Sequence, residues 1–260
     1  MEVYQAIILG IIQGLTELLP ISSSAHLNII PWMFGWNMPD SFDVALHFGT
    51  LLAIGIFFFK DWIALIKGGF KQVVKKEKST EGRMFWYIVL ATLPGGILGL
   101  LFDKFLEDYL NHALIIATAL IVMGIILYLV DKKCKADTKY EDMSLKQTFL
   151  IGISQALAFI PGVSRSGVTM TIGRLMGVER ESTAKYSFML SAPIVLGATI
   201  YKFKDFVLDL SFFIGVITSF IVGIAVIKFL LNYLKKGSFK IFAVYRVVFG
   251  AIIIATFLLK

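Results

Sequence analysis

Apolar stretches long enough to cross a hydrocarbon core of roughly 30 Å recur along this chain, separated by short polar segments. The first, from Val3 to Leu19, reads as a helix that breaks at Pro20. Ser22, Ser23 and Ser24 follow the proline and supply N-cap chemistry for a second short helix to about Met33, closed by Pro31, Gly35 and Met38-Pro39. A helix, a polar break and another helix in so few residues predict a re-entrant hairpin, whose irregular backbone must be buried in protein or line a wet cavity. Full spans are expected over Phe42–Phe59, Met84–Phe102 and His112–Val130, with Thr92-Leu-Pro94-Gly-Gly96 kinking the second. A second broken helix follows from about Leu145 to Met176, interrupted at Pro161-Gly162, and then spans over Lys185–Tyr201, Leu210–Leu234 and Ile241–Leu259. The expected fold is an all-α polytopic membrane protein: six transmembrane helices plus two re-entrant helix-loop-helix hairpins, in one membrane domain over residues 1–260.

Hairpin and three spans then occur twice, and the repeat shows in individual residues. At a constant offset of 142, Gly10, Gln13, Leu15, Ser22 and Ser24 fall on Gly152, Gln155, Leu157, Ser164 and Ser166. Gly55 and Lys60 fall on Gly197 and Lys202 at the same offset. Internal repeats of about 1–131 and 145–260 are the result. An odd number of spans between the hairpins makes them enter from opposite faces, an inverted-topology repeat that places a site near the midplane.

Composition agrees with a membrane protein: 57% hydrophobic, 17% charged, mean hydropathy +0.80. The net charge of +7 would suit nucleic acid, but the basic residues fall in loops between apolar spans, so no nucleic-acid partner is expected. The expected layout puts Lys60, Lys67, Lys71, Lys75, Lys76, Lys78, Arg83, the lysines from Lys132 to Lys146, Arg174, Arg180, Lys185, Lys235, Lys236, Lys240 and Arg246 on one side. Only Lys104, Lys202, Lys204 and Lys260 fall on the other. The positive-inside rule makes the first side cytoplasmic, with both termini outside. Cys134 is the only cysteine, which excludes a disulfide framework. Met-Glu-Val-Tyr lacks a basic n-region, so the apolar start is read as mature structure rather than a signal peptide.

The candidate chemistry lies at the two breaks. Gln13 and Glu17 are four apart and share a helix face. Ser22, Ser23 and Ser24 open a helix whose first N–H groups lack intrahelical partners and attract anions. The second break adds Arg165, a planar fork suited to phosphate oxygens, with Ser164, Ser166 and Thr169 as hydroxyls. Gly162 and Gly167 there permit a close approach. Glu17 and Arg165 suit either an ion pair between hairpins or a clamp on an oxyanion, and His26 either a structural or a catalytic part. An ionisable group at membrane depth starts as a functional-site hypothesis.

The first stretch, Gln13-x-x-x-Glu17…Pro20-x-Ser22-Ser23-x-x-His26, resembles that of bacterial undecaprenyl-pyrophosphate phosphatases of the bacitracin-resistance type. Pro161-Gly-x-Ser164-Arg165-Ser166-Gly167-x-Thr169 is similar to the second signature of that family without departure. Phe42-Asp43-Val-Ala-Leu-His47-Phe-Gly-Thr50 resembles the segment after the first motif, which adds His47 and Thr50 as secondary candidates. Gln13 stands where many members carry glutamate. The resemblance implies a membrane phosphatase that converts a C55 polyprenyl diphosphate to its monophosphate for peptidoglycan synthesis, with an active site open to the outer face of the cytoplasmic membrane. It implies a divalent cation, magnesium or calcium, with Glu17 and Gln13 as metal candidates. It makes Ser23 the proposed nucleophile, with Glu17 and His26 as base, acid or metal ligand, although attack by His26 or by activated water stays open. Gln13, Ser22, Ser24, Gly162, Ser164, Ser166, Gly167 and Thr169 are expected to bind substrate. A homodimer is left open, and a lipid flippase on the same inverted-repeat scaffold is the alternative function.

Overall fold

The computed structural model describes residues 1–110 and 112–259 and is all-helical, with no strand among the described residues. Eleven α-helices follow in order: α1 Val3–Thr16, α2 Ser23–Phe34, α3 Asp40–Phe57, α4 Phe59–Val74, α5 Thr80–Leu110, α6 Ala113–Lys133, α7 Leu145–Ser154, α8 Arg165–Leu175, α9 Arg180–Tyr201, α10 Leu210–Leu234 and α11 Lys240–Leu259. Among the described residues, α6, α10 and α11 are each long and apolar enough to cross a membrane, and α3 with α4 makes a fourth candidate bent by 76°. Apolar side chains cover much of the outer surface as well as the core, as lipid rather than water requires. This is a multi-pass membrane protein.

Local chemistry explains most of the boundaries. α2 runs through Pro31 and stops at Gly35, whose φ of +66° lets the chain turn left-handed without a Cβ penalty. The expectation that Pro31 helps end this helix is therefore corrected. At the fourth position from the end of the helix the proline forfeits one backbone bond, a loss that a helix so close to its end tolerates. Ser144 and Gln147 form a reciprocal capping box that starts α7. Asp209 caps α10 by accepting from the Phe212 N–H at 2.8 Å. Residues 59–74, expected as the end of a span and a basic loop, instead form α4, and α5 starts earlier than expected, at Thr80. The side chain of Lys104 and all of Lys260, both assigned above to the outer side, lie outside the described residues.

The helices meet where small residues bring backbones together. α1 and α3 both pack on α10, while α5 packs on α7 and α9 on α8. A Cβ built on Gly49 would lie 1.9 Å from Ser219 Oγ and 2.5 Å from the Val216 carbonyl oxygen, so α3 and α10 touch through this glycine. Ser219 Oγ donates across the same contact to the Leu46 carbonyl oxygen at 3.0 Å. Gly49→Ala should therefore destabilise the detergent-solubilised protein by about 1–3 kcal/mol, read as a lowered thermal midpoint. A midpoint unchanged by this substitution would mean that α3 and α10 are not packed this closely.

Candidate active site

Two breaks in the helices meet, with Ser166 of one bonded to Leu19 of the other, and the backbone does the same thing at each. Ser22 caps α2 at φ +76°, and its Oγ accepts from the Ala25 N–H at 3.3 Å. Ser164 caps α8 at φ +72°, and its Oγ accepts from the Gly167 N–H at 3.0 Å. A left-handed conformation is costly for a residue with a Cβ and persists only where surrounding structure holds it. Each capping serine also lies 3.2 Å from the hydroxyl two residues on, Ser22 from Ser24 and Ser164 from Ser166. These caps leave the N–H groups of Ser23 and Ser24, and of Arg165 and Ser166, ahead of the first helical bonds, where a helix end favours anions.

Glu17, at the end of α1, is the junction of the site. Ser23 Oγ donates to Glu17 Oε2 at 2.6 Å, and Gln13 Nε2 donates to the same oxygen at 3.3 Å. Arg165 Nη2 donates to Glu17 Oε1, and Arg165 Nη1 reaches the Ser191 carbonyl oxygen of α9 at 3.3 Å. His47, on α3, brings Nε2 to 3.2 Å from Glu17 Oε2. Its Nδ1 donates to the Asp43 carbonyl oxygen at 2.9 Å and lies 3.7 Å from the Asp43 carboxylate. Residues from α1, α2, α3 and α8 therefore converge on one carboxylate. Ser23, Arg165 and His47 remain partly accessible around it, while Glu17 is buried.

Other expected participants are engaged elsewhere. His26 does not reach Glu17 or Ser23. Its Nδ1 lies 2.7 Å from the Ser22 carbonyl oxygen, which can only accept, so Nδ1 carries a proton and donates. In the neutral ring Nε2 then accepts from the Tyr245 hydroxyl at 2.6 Å, and the ring stacks on Phe249 at 4.3 Å. Thr169 Oγ1 bonds the Arg165 carbonyl oxygen and Ser187 Oγ, both at 2.7 Å, tying α8 to α9. Ser166 Oγ donates across to the Leu19 carbonyl oxygen of the first break at 2.9 Å. Thr50 Oγ1 donates to the His47 carbonyl oxygen within α3. Gly162 and Gly167 leave room for protein: an added Cβ would lie 2.5 Å from the Ile116 carbonyl oxygen at the first and 2.6 Å from Arg246 Nη1 at the second.

Arg246 is the residue that sequence reasoning misplaced. It was counted with the cytoplasmic loop charges, yet it is 0% exposed, inside α11 between the two breaks. Its guanidinium donates to the carbonyl oxygens of Leu120 at 3.2 Å, Pro20 at 3.2 Å, Gly162 at 2.8 Å and Val163 at 2.9 Å. Arg174 is likewise buried, bonded to Asp131 Oδ1 at 2.9 Å, and that oxygen also takes Arg180 Nε at 2.7 Å. Neither arginine is a loop charge. A guanidinium is kept at depth because broken helices expose carbonyls that need donors. The available signal was Arg246 itself, a cation in an otherwise apolar helix.

The donor set suits oxygen-loving cations. Gln13 Oε1 is fully buried and has no hydrogen-bond partner, and it sits beside the Glu17 carboxylate. Among the described residues no three His, Cys, Asp or Glu side chains gather as a complete ligand set. Magnesium commonly takes one or two protein oxygens and completes its shell with substrate phosphates and water, and Gln13 and Glu17 fit that pattern.

The apolar helices and the polar cluster buried among them define an integral membrane protein. Comparison with known proteins names the class. The family model described as bacitracin resistance protein BacA matches residues 6–252. The undecaprenyl-diphosphatase of Pelotomaculum thermopropionicum is 50% identical over 98% of this chain and 96% of its own length. The undecaprenyl-diphosphatase of Moorella thermoacetica is 47% identical over the whole of both chains. That of Caldicellulosiruptor bescii is 48% identical over 100% of this chain and 99% of its own. The chain belongs to the bacitracin resistance protein BacA family.

Proposed function

We propose that this protein hydrolyses undecaprenyl diphosphate to the monophosphate and inorganic phosphate, recycling the lipid carrier of peptidoglycan synthesis and so conferring bacitracin resistance. Family membership and the names of the relatives support the reaction. The observation that carries the site assignment is Ser23 Oγ donating at 2.6 Å to a carboxylate that Arg165 also holds.

The chemistry follows from that contact. A serine hydroxyl is a weak nucleophile and needs an adjacent base. Glu17 takes the Ser23 proton as Oγ bonds to the terminal phosphorus, and the bond from that phosphorus to the bridging oxygen breaks. Undecaprenyl monophosphate leaves, and water then cleaves the phosphoserine to release phosphate. Arg165 and the N–H groups at the starts of α2 and α8 stabilise the charge on the transferring group. His47 and Gln13 orient the carboxylate. His26 positions the Ser22 turn through its bond to that carbonyl. Gln13 and Glu17 would hold a magnesium or calcium ion, which supplies further neutralisation of the diphosphate.

The arrangement is further read as six spans with two re-entrant hairpins, α1–α2 and α7–α8, in repeats of about 1–131 and 145–260. What supports it is the equivalence of the two serine caps at the offset of 142. The lysine-rich ends are placed in the cytoplasm on the charge distribution, and a site opening to the outer face is what the family resemblance implies.

Phosphate release from undecaprenyl diphosphate in detergent tests the assignment. Ser23→Ala and chelation by EDTA should reduce release to background, the latter reversibly on adding magnesium or calcium. His26→Asn, whose amide N–H still reaches the Ser22 carbonyl, should retain turnover. Full activity in Ser23→Ala, or total loss in a folded His26→Asn, would transfer the nucleophile's role to the histidine.

A further inference from the structure

Helix α4 carries three sectors along its length. One packs inward: Leu65, Gly68 and Gly69 are buried, a Cβ on Gly68 would meet Gly82 N of α5 at 2.6 Å, and Asp61 pairs with Lys185 of α9 at 2.7 Å. A second sector is apolar and exposed: Phe59, Ile63, Ile66, Phe70 and Val73, spaced four, three, four and three residues apart, with Phe70 65% exposed. That spacing places them in one stripe on a helix surface. The third sector is a row of exposed lysines, Lys60, Lys67, Lys71 and Lys75, directly beside the stripe. Both outer sectors are exposed.

The angle to α3 says where such a helix lies. α4 departs from α3 by 76° at Phe58, so if α3 crosses the bilayer α4 runs nearly in its plane. An in-plane helix with an apolar stripe and a flanking basic row sinks its stripe into the acyl boundary and leaves its lysines at headgroup level. Residues 59–83 hold seven basic and three acidic residues, so the surface is complementary to anionic lipid. A cavity of about 230 Å³ opens where α4 turns into α5, walled by Lys67, Lys71, Lys78 and Ser79, with Glu77 and Glu81 also on its walls. Glu77 lies 4.0 Å from Lys71, and Lys67 and Lys78 stand beside that pair on the cavity wall.

We propose that α4 is a docking helix for anionic phospholipid of the cytoplasmic leaflet, with the exposed stripe in the acyl layer and the lysine row on headgroup phosphates. The cytoplasmic placement rests on the orientation given above; the lipid contact does not. Each lysine near an anionic surface contributes about fivefold to the preference for charged over neutral lipid.

The test uses the full chain in nanodiscs, with a fluorophore at Phe70→Cys in a Cys134→Ala background. Phosphatidylglycerol or phosphatidylcholine carrying an acyl-chain nitroxide serves as quencher. Both lipids should quench, phosphatidylglycerol preferentially, and Lys67→Gln/Lys71→Gln/Lys75→Gln should cut that preference by about fivefold per lysine removed. An unquenched label, whether in water or covered by a second copy, overturns the proposal. So does equal quenching by the two lipids, or a preference that survives the triple substitution. Phosphatase turnover measured in the same nanodiscs separates failure of this contact from failure of the enzymatic reading. Labelling of Ala64→Cys by an impermeant thiol reagent in intact cells would overturn the cytoplasmic placement.

Discussion

Arg165→Lys should lower the turnover of undecaprenyl diphosphate by about 10²- to 10³-fold, the usual loss when one preorganised donor to a developing oxyanion is removed. Lysine keeps the charge but loses the planar fork, and in this site the fork spans two acceptors, Glu17 Oε1 and the Ser191 carbonyl oxygen. Glu17→Gln should cost at least as much, because the carboxylate that receives the Ser23 proton disappears while its neighbours keep their places. The two losses should not add: once either partner has gone, the other serves a dismantled unit, so the double variant resembles the worse single one. Initial rates of phosphate release for the four proteins, each with its thermal midpoint, check this. Strict additivity would place Glu17 and Arg165 in separate roles and break the proposed clamp.

The second large effect is on stability. Arg246→Met should destabilise the protein by about 3–5 kcal/mol, on the scale of losing one member of a buried charged network. Methionine fills much of the space but leaves the carbonyls of Leu120, Pro20, Gly162 and Val163 without the donors that satisfy them. Arg246→Lys should restore little, because an ammonium on a single stem cannot face four carbonyls from three segments at once. Thermal unfolding in detergent reads this directly, and a midpoint within a degree or two of the parent would mean that the breaks hold themselves. Activity should fall with stability here even though Arg246 has no bond to Glu17 or Ser23.

These two arginines show what the chain disclosed before its structure. Arg165 stood out as a cation between serines and glycines at a proline break, suited to Glu17 or to a bound oxyanion, and it does meet Glu17. Arg246 did not stand out, because the groups it satisfies are main-chain carbonyls freed by breaks far away in sequence, and no side-chain pattern near residue 246 encodes them. Among the long apolar helices α10 came out at its observed limits, and α6 and α11 within about a turn of theirs, as expected where hydropathy is forced by lipid. α4 was lost because lysines every few residues look like a loop to a hydropathy reading, although its apolar positions keep a helical period. The neighbours of Glu17 were legible through Gln13, four residues away on the same face. His47 was only a secondary candidate, since its approach depends on how α3 packs against α1. Tyr245, which claims His26, gave no signal at all.

The crossing bond from Ser166 to the Leu19 carbonyl oxygen carries one last implication. It joins the two helix breaks beside the Glu17 carboxylate, so a motion that parted the breaks would also draw Arg165 away from Glu17. Under the proposed reaction, any passage of lipid that opened this contact would interrupt hydrolysis for as long as it stayed open.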